Sequence, residues 1–265
     1  MEAANMLRRT LVVGNWKMNL TTQQSSLLLR RLQQNIQGHR AVEVVLAPSM
    51  LALQPLSVEI DRRKFKLAAQ NAYFKDEGGF TGEVSFAMLR GIVSYAIIGH
   101  SARRLYFGET LDDVTQKVEA AVRNDITPIL CVGETKRERD ARETKRVICD
   151  QVVSALANLT SAEIDSVVIA YEPIWAISAY GGAVAKPSDV TTVVEYIRLQ
   201  IRELYGKLAA ERVRVLYGGS VDAHDVKGFL SIKGIDGVLV GAASISANKF
   251  VNIVSAAYQT HTEVQ

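Results

Sequence analysis

Polar residues that can move protons and hold negative charge follow three short apolar runs of the sequence. Asn15 and Lys17 come just after the first run, and His100 comes just after the fourth. Glu172 comes just after the sixth. A carboxylate beside a histidine can move a proton between adjacent carbon and oxygen atoms. A nearby lysine stabilises an anionic substrate or intermediate. These residue types indicate proton-transfer chemistry on a small anionic substrate.

Glycine-rich turns follow the last two apolar runs. Gly218, Gly219 and Ser220 follow the seventh run, and Gly241 follows the eighth. Backbone N–H groups in such turns bind phosphate, helped by the helix N-termini behind them. A base, an electrophile, a cation and a phosphate cradle together favour an isomerase of a small phosphorylated aldose or ketose. We expect no metal and no organic cofactor, since such a proton shift needs neither and the sequence lacks zinc-ligand spacing, a G-x-G-x-x-G turn and a P-loop.

The apolar runs predict eight strands buried on both faces, because they are short, continuous and rich in β-branched residues. They cover residues 11–13, 42–47, 66–69, 95–98, 128–132, 167–170, 213–216 and 237–240. Between them, apolar residues recur at helical period, most clearly over residues 25–36, 111–122, 144–159, 190–208 and 250–258. Eight strand–helix units in a chain of 265 residues predict an α/β fold, a single-domain (β/α)8 barrel over residues 1–265. A doubly wound parallel sheet is the alternative.

Composition excludes several classes of protein. The formal net charge of +3 is too balanced for a nucleic-acid-binding surface, and no apolar run reaches the roughly 18 residues of a transmembrane helix. Cys131 and Cys149 are too few for a disulfide framework. We therefore expect a cytoplasmic enzyme with no nucleic-acid and no membrane partner.

Longer motifs give the sequence a family resemblance from about Leu11 to about Ser244. They are Asn-Trp-Lys-Met-Asn from residue 15, Ile-Gly-His-Ser from 98, Ala-Tyr-Glu-Pro-Ile-Trp-Ala from 170, Tyr-Gly-Gly-Ser-Val from 217, and Val-Gly at 240–241. Gln-Asn at 70–71, Phe-Thr-Gly-Glu at 80–83 and Cys-Val-Gly-Glu at 131–134 accompany them. In order and spacing, this set strongly resembles the triosephosphate isomerase family.

The resemblance implies a role for each site residue. Glu172 would be the base, His100 the neutral electrophile, and Lys17 the cation that holds the substrate's charge with help from Asn15. The backbone N–H groups that would bind the phosphate are those of Ser178, Ser220, Gly241 and Ala242. Residues 175–187 would form a lid that excludes water. The loop that starts at Gln70 and ends at Glu83 would reach into a partner subunit and make a homodimer.

The sequence departs from the family at four places. Ala102 stands where the family usually has a glutamate near the catalytic lysine, so Ala102→Glu is expected to raise kcat if that missing carboxylate limits Lys17. Residues 175–187 are two residues longer than in most relatives. Ala242 replaces the second glycine of the last phosphate turn, and Phe86 replaces a proline.

The resemblance implies a homodimeric triosephosphate isomerase of glycolysis and gluconeogenesis. Such an enzyme interconverts dihydroxyacetone phosphate and D-glyceraldehyde 3-phosphate through an enediolate. The altered lid motivates one alternative, an isomerase of another small sugar phosphate such as a four-carbon ketose phosphate. Ala102 and the lid together motivate a second alternative, a weakly active or inactive barrel used for binding.

Overall fold

Eight parallel strands pair in sequence order and close into a barrel in the computed structural model, which describes residues 8–38, 40–177 and 185–263. The first strand pairs with both the second and the eighth, which closes the ring. The strands are β1 (Thr10–Asn15), β2 (Val42–Ala47), β3 (Phe65–Ala69), β4 (Tyr95–Ile98), β5 (Thr127–Val132), β6 (Val168–Tyr171), β7 (Arg214–Tyr217) and β8 (Gly237–Val240).

This topology confirms the predicted (β/α)8 barrel. Each of the eight apolar runs is a strand, with ends within two residues of the prediction. The doubly wound alternative is wrong because an open sheet has two unpaired edge strands, whereas every strand here has two neighbours. That a single domain extends over all of residues 1–265 stays a prediction.

Helices connect the strands on the outside of the barrel. They are α1 (Thr22–Asn35), α2 (Met50–Glu59), α3 (Phe86–Leu89), α4 (Ser101–Phe107), α5 (Leu111–Arg123), α6 (Lys136–Asp140), α7 (Thr144–Leu156), α8 (Pro187–Arg212), α9 (Val226–Leu230) and α10 (Ala247–Glu263). The five predicted helices correspond to α1, α5, α7, α8 and α10. Periodicity missed the other five because four are seven residues or shorter and α2 has apolar residues at nearly every early position. None of these described helices has the length and apolar character needed to cross a membrane.

Two apolar cores hold the barrel together. Successive side chains of a strand point to opposite faces, so Leu11 and Val13 pack inside the barrel while Val12 packs against the helices. The outer core is the larger one, because helices cover the strands all round the barrel.

A buried polar cluster fills the end of the barrel where the strands begin. The Tyr95 hydroxyl donates to Glu43 Oε1 at 2.9 Å, and Arg214 binds both Glu43 Oε2 and the Tyr95 hydroxyl at 2.8 Å. Burial is the main cause that raises the pKa of Tyr95 to about 12. These three side chains therefore occupy the end of the barrel opposite to the one where the strands finish.

Candidate active site

A cavity of about 790 Å³ opens at the carboxyl end of the barrel, the face where barrel enzymes build their sites. All the site residues predicted from the sequence line it, except one outside the described residues: Asn15, Lys17, His100, Glu172, Ser220, Gly241 and Ala242. The exception is Ser178. The fold therefore brings together residues from β1, β4, β6, β7 and β8 that are far apart in the sequence.

Glu172 follows β6 and is almost fully buried, with 2% of its surface exposed. Its Oε2 accepts a hydrogen bond from the Ser101 N–H at 3.1 Å, and its Oε1 lies 3.1 Å from His100 Nε2. Two glycines let the chain pack around it. A Cβ on Gly133 would lie 1.8 Å from the Glu172 carbonyl oxygen, and a Cβ on Gly218 would lie 2.8 Å from Glu172 Cγ. The carboxylate is thus held between two turns that tolerate only glycine.

His100 lies at the start of α4, which fixes its ring. The N–H of Ala102 donates to His100 Nδ1 at 3.1 Å, so Nδ1 is an acceptor and the neutral ring carries its proton on Nε2. That Nε2–H is directed at Glu172 Oε1. The ring is therefore set to donate a hydrogen bond into the cavity.

Burial favours the neutral form of His100. Burial is the main cause that lowers its pKa from the usual 6.5, and the positive charge of Lys17 acts in the same direction against the opposing charge of Glu172. Below pH 6.5 the unfolded chain binds a proton at this position that the folded chain does not, so His100 destabilises the fold progressively as the pH falls. Imidazole 15N NMR at pH 8 should show the neutral tautomer protonated on Nε2, and a titration towards lower pH should give a midpoint below 6.5. A titration of His100 with a midpoint at or above 6.5 would contradict this assignment.

Lys17 is positioned through its main chain. Its backbone has a left-handed φ of 53°, which is uncommon for a residue other than glycine. The Lys17 N–H donates to Asn15 Oδ1 at 3.0 Å, and Gln70 Nε2 donates to the carbonyl oxygens of Lys17 and Ala47, each at 2.9 Å. The ammonium has no ion-pair partner among the residues that the structure describes. With alanine at position 102, the positive charge is left to face the cavity.

The glycine-rich turns after β7 and β8 also line the cavity. A Cβ on Gly219 would lie 2.2 Å from the Tyr217 hydroxyl oxygen, so this turn also requires glycine. Ser220 Oγ donates to the carbonyl oxygen of Ala176 at 3.1 Å, which ties the turn to the segment after Glu172. A Cβ on Gly241 would lie 3.6 Å from Lys17 Cε, which places the second turn beside the lysine. Ala242 begins a short 3-10 turn and is exposed, so its methyl group is accommodated.

Comparison with known proteins agrees with this geometry. A sequence model of the triosephosphate isomerase family matches residues 10–257. The chain belongs to the triosephosphate isomerase family. It is 41% identical over 249 residues to the triosephosphate isomerase of Carboxydothermus hydrogenoformans, covering 94% of this chain and 98% of that protein. It is 43% identical to that of Endomicrobium trichonymphae over the same shares, and 42% identical to that of Caldanaerobacter subterraneus subsp. tengcongensis, covering 94% and 100%.

Cys131 lies beneath the carboxylate of this triosephosphate isomerase family site. Cys131 is buried inside the barrel. Burial raises the pKa of its thiol well above the usual 9.0, and the neighbouring Glu172 charge adds to the effect. The thiol therefore stays protonated and packs as a neutral group under Glu172.

Glu134 anchors the segment that leads into the expected lid, a role that sequence reasoning missed. Its buried carboxylate accepts hydrogen bonds from the Tyr171 hydroxyl at 3.1 Å and from Trp175 Nε1 at 2.9 Å. Arg139 lies over the Trp175 ring at 4.1 Å and binds Asp189 at 2.7 Å. The motif at residues 131–134 indicated the position of Glu134 but nothing about these partners.

Metal ligands are absent from the described part of the site. Among residues 8–38, 40–177 and 185–263, no three His, Cys, Asp or Glu side chains lie together so that they could hold a metal ion.

Proposed function

We propose that the chain is a triosephosphate isomerase, which interconverts dihydroxyacetone phosphate and D-glyceraldehyde 3-phosphate. Membership of the family supports the reaction class. The observation that carries the proposal is the pair formed by the Glu172 carboxylate and the neutral His100 ring, 3.1 Å apart in a cavity also lined by Lys17 and the glycine-rich turns.

Glu172 acts as the base. Its carboxylate removes a proton from the hydroxymethyl carbon of the ketose, and the electron pair of that C–H bond forms the carbon–carbon double bond of the enediolate. The carbonyl π electrons move onto oxygen, which becomes negatively charged. His100 passes the hydroxyl proton of the first carbon's oxygen to the negatively charged oxygen on the second carbon. The electrons of the carbon–carbon double bond then take the proton from Glu172 at the second carbon, and the oxygen on the first carbon becomes the carbonyl oxygen of the aldose. Burial between Gly133 and Gly218 limits the water that competes for the proton.

His100 acts as the electrophile. Without substrate, its Nε2–H is paired with Glu172 Oε1. A substrate oxygen bound in place of Glu172 Oε1 accepts that hydrogen bond instead, which frees the carboxylate to approach the substrate carbon. Because the ring is neutral, its N–H polarises the substrate carbonyl group through a hydrogen bond and brings no full positive charge to the carbonyl oxygen.

Lys17 and the glycine-rich turns hold the negative charges of the substrate. The Lys17 ammonium faces the developing enediolate oxygen, and Asn15 fixes the Lys17 backbone. The phosphate group lies against the backbone N–H groups of Ser220, Gly241 and Ala242, with Ser178 on the lid side. A cation and N–H dipoles fixed in advance need little rearrangement during the reaction.

A coupled assay tests the proposal. Purified protein converts glyceraldehyde 3-phosphate, and a glycerol-phosphate dehydrogenase reports the product through oxidation of NADH. We expect a turnover of about tens per second or more, within the usual range of enzymes. Turnover no higher than that of a Glu172→Gln control would overturn the proposal, and four-carbon ketose phosphates would be assayed next.

We infer a homodimer that forms through the loop from Gln70 to Glu83. Large apolar side chains are exposed in the loops and helices that follow β1 to β4, and these strands are adjacent in the barrel. They are Met18, Leu51, Phe80, Met88, Leu105, Tyr106 and Phe107. Patches of this kind mark protein–protein interfaces. Phe86, which replaces a family proline, is fully buried and packs beneath this surface.

Met18→Glu tests the interface. Met18 is 97% exposed in the single chain, and burying a charge there disfavours association. Analytical ultracentrifugation should give twice the chain mass for the wild type and a dimer dissociation constant at least about tenfold higher for the variant. Leu208→Glu, on an exposed part of α8, is the matched control. A wild-type monomer, or equal dissociation constants for both variants, contradicts the inferred dimer.

We place the enzyme in the cytoplasm. Both cysteines, Cys131 and Cys149, are free thiols, which fits a reducing compartment. Fractionation of cells with an antibody against the protein tests this placement.

A further inference from the structure

The cavity extends beyond the proposed phosphate turns to an outer wall that the reaction described above does not use. Asp222 and His224 reach this wall from the turn after β7, and Lys249 and Asn252 reach it from α10. Residues three apart lie on the same face of a helix, so α10 presents Lys249 and Asn252 together to the cavity. The outer wall is therefore polar and carries charge of both signs.

Lys249 interacts with the fold through a charge attraction to the exposed Asp222, whose pKa it helps to lower. The side chain is exposed, and its ammonium has no ion-pair or hydrogen-bond partner among the residues that the structure describes. Lys249 is also the third residue of α10. A cation in the first turn of a helix is disfavoured by the helix dipole. Its position at the cavity calls for an explanation beyond the stability of the fold.

The charge balance of the cavity supplies that explanation. Among the described lining residues, the cations are Lys17 and Lys249 and the carboxylates are Glu172 and Asp222. Backbone hydrogen bonds, above all from the N–H of His224, lower the pKa of Asp222, so its carboxylate is ionised at neutral pH. Without Lys249 the lining would carry more negative than positive charge, and it would repel a phosphate group.

We propose that Lys249 is a binding determinant for doubly charged phosphate groups, and that it offsets Asp222 and draws the anion to the mouth of the cavity. Which phosphate compound binds rests on the proposed function, whereas the electrostatic attraction between Lys249 and a phosphate group does not depend on it. The interaction acts through solvent, so it grows with the charge of the ligand and weakens as salt screens it. It raises kcat/KM and leaves kcat unchanged, because the bound substrate reacts at the inner end of the cavity.

Calorimetric titration with inorganic phosphate at pH 8 tests the proposal on the intact protein. Lys249→Gln should weaken phosphate binding about three- to fivefold at low ionic strength and less than about twofold at high ionic strength. Methanesulfonate, which carries a single charge, should lose less affinity than phosphate. Lys249→Arg should bind phosphate like the wild type. Lys233→Gln is the matched control, because Lys233 is exposed and precedes β8 at the opposite end of the barrel.

The contrary outcomes are equally specific. Phosphate binding by Lys249→Gln equal to that of Lys233→Gln would overturn the proposal, and so would a loss that is the same at both ionic strengths or for both anions. Asp222→Asn in the Lys249→Gln background should restore most of the lost affinity, because it removes the charge that Lys249 offsets. If the wild type shows no isomerase turnover but its phosphate affinity depends on Lys249, the proposed function fails and this inference stands.

Discussion

Glu172→Gln should lower kcat by at least about a thousandfold, because an amide cannot accept the substrate proton and a positioned base contributes about 10²–10⁴-fold. Glutamine keeps the size of the side chain, so the fold remains intact. One of its polar atoms becomes an N–H donor that faces either His100 Nε2–H or the Ser101 N–H. That mismatch costs about 1–3 kcal/mol of stability, which a folded barrel tolerates.

The control variant is Glu195→Gln, an exposed carboxylate on α8 that makes the same chemical change far from the cavity. It should retain wild-type kcat. Phosphate titration of Glu172→Gln should give an affinity at least equal to that of the wild type, because the variant removes a negative charge from the cavity lining. Retained binding separates a lost base from a lost fold. A Glu172→Gln enzyme that keeps more than a tenth of wild-type activity would show that Glu172 is not the base.

Lys17→Met should lower kcat/KM by about a thousandfold. The variant keeps most of the side-chain volume and removes the ammonium that faces the anionic substrate, and one fixed electrostatic partner is worth about 10²–10³-fold. The backbone contacts from Asn15 and Gln70 do not depend on the side chain, so the φ of 53° should persist. Steady-state kinetics measure the effect, with Lys233→Met as the control of equal charge. A decrease of less than about tenfold would remove Lys17 from the proposed mechanism.

Ala102→Glu tests whether the missing carboxylate near Lys17 limits kcat. The resemblance implies a carboxylate near Lys17 that this chain lacks, whereas the structure shows the Lys17 main chain fixed by Asn15 and Gln70. A kcat above that of the wild type means that the missing carboxylate limits Lys17. An unchanged or lower kcat means that the backbone contacts already compensate for it.

Much of the architecture could be predicted from the sequence, because the signals that specify it are local. A strand buried on both faces must be continuously apolar, so the eight runs from Leu11 to Val240 predicted every strand of the barrel. The helical period over residues 111–122 predicted α5, whose start is fixed by Thr110 and Asp113, where each side chain accepts from the backbone N–H of the other. Short helices such as α3 and α9 give too few turns for a period to be recognised.

The sequence by itself also determined which residue types end the strands, and therefore that Lys17, His100 and Glu172 meet at one face. Only the tertiary structure decided how closely they meet and what surrounds them. Three contacts join segments that are far apart in the chain. They are the 3.1 Å contact between His100 and Glu172, the packing of Gly133 and Gly218 against Glu172, and the hydrogen bond from Trp175 to Glu134. The place of Lys249 on the cavity wall depends on how α10 packs against the barrel. Local sequence patterns record burial and periodicity along one segment, whereas these contacts depend on the relative positions of segments, which the closed barrel sets.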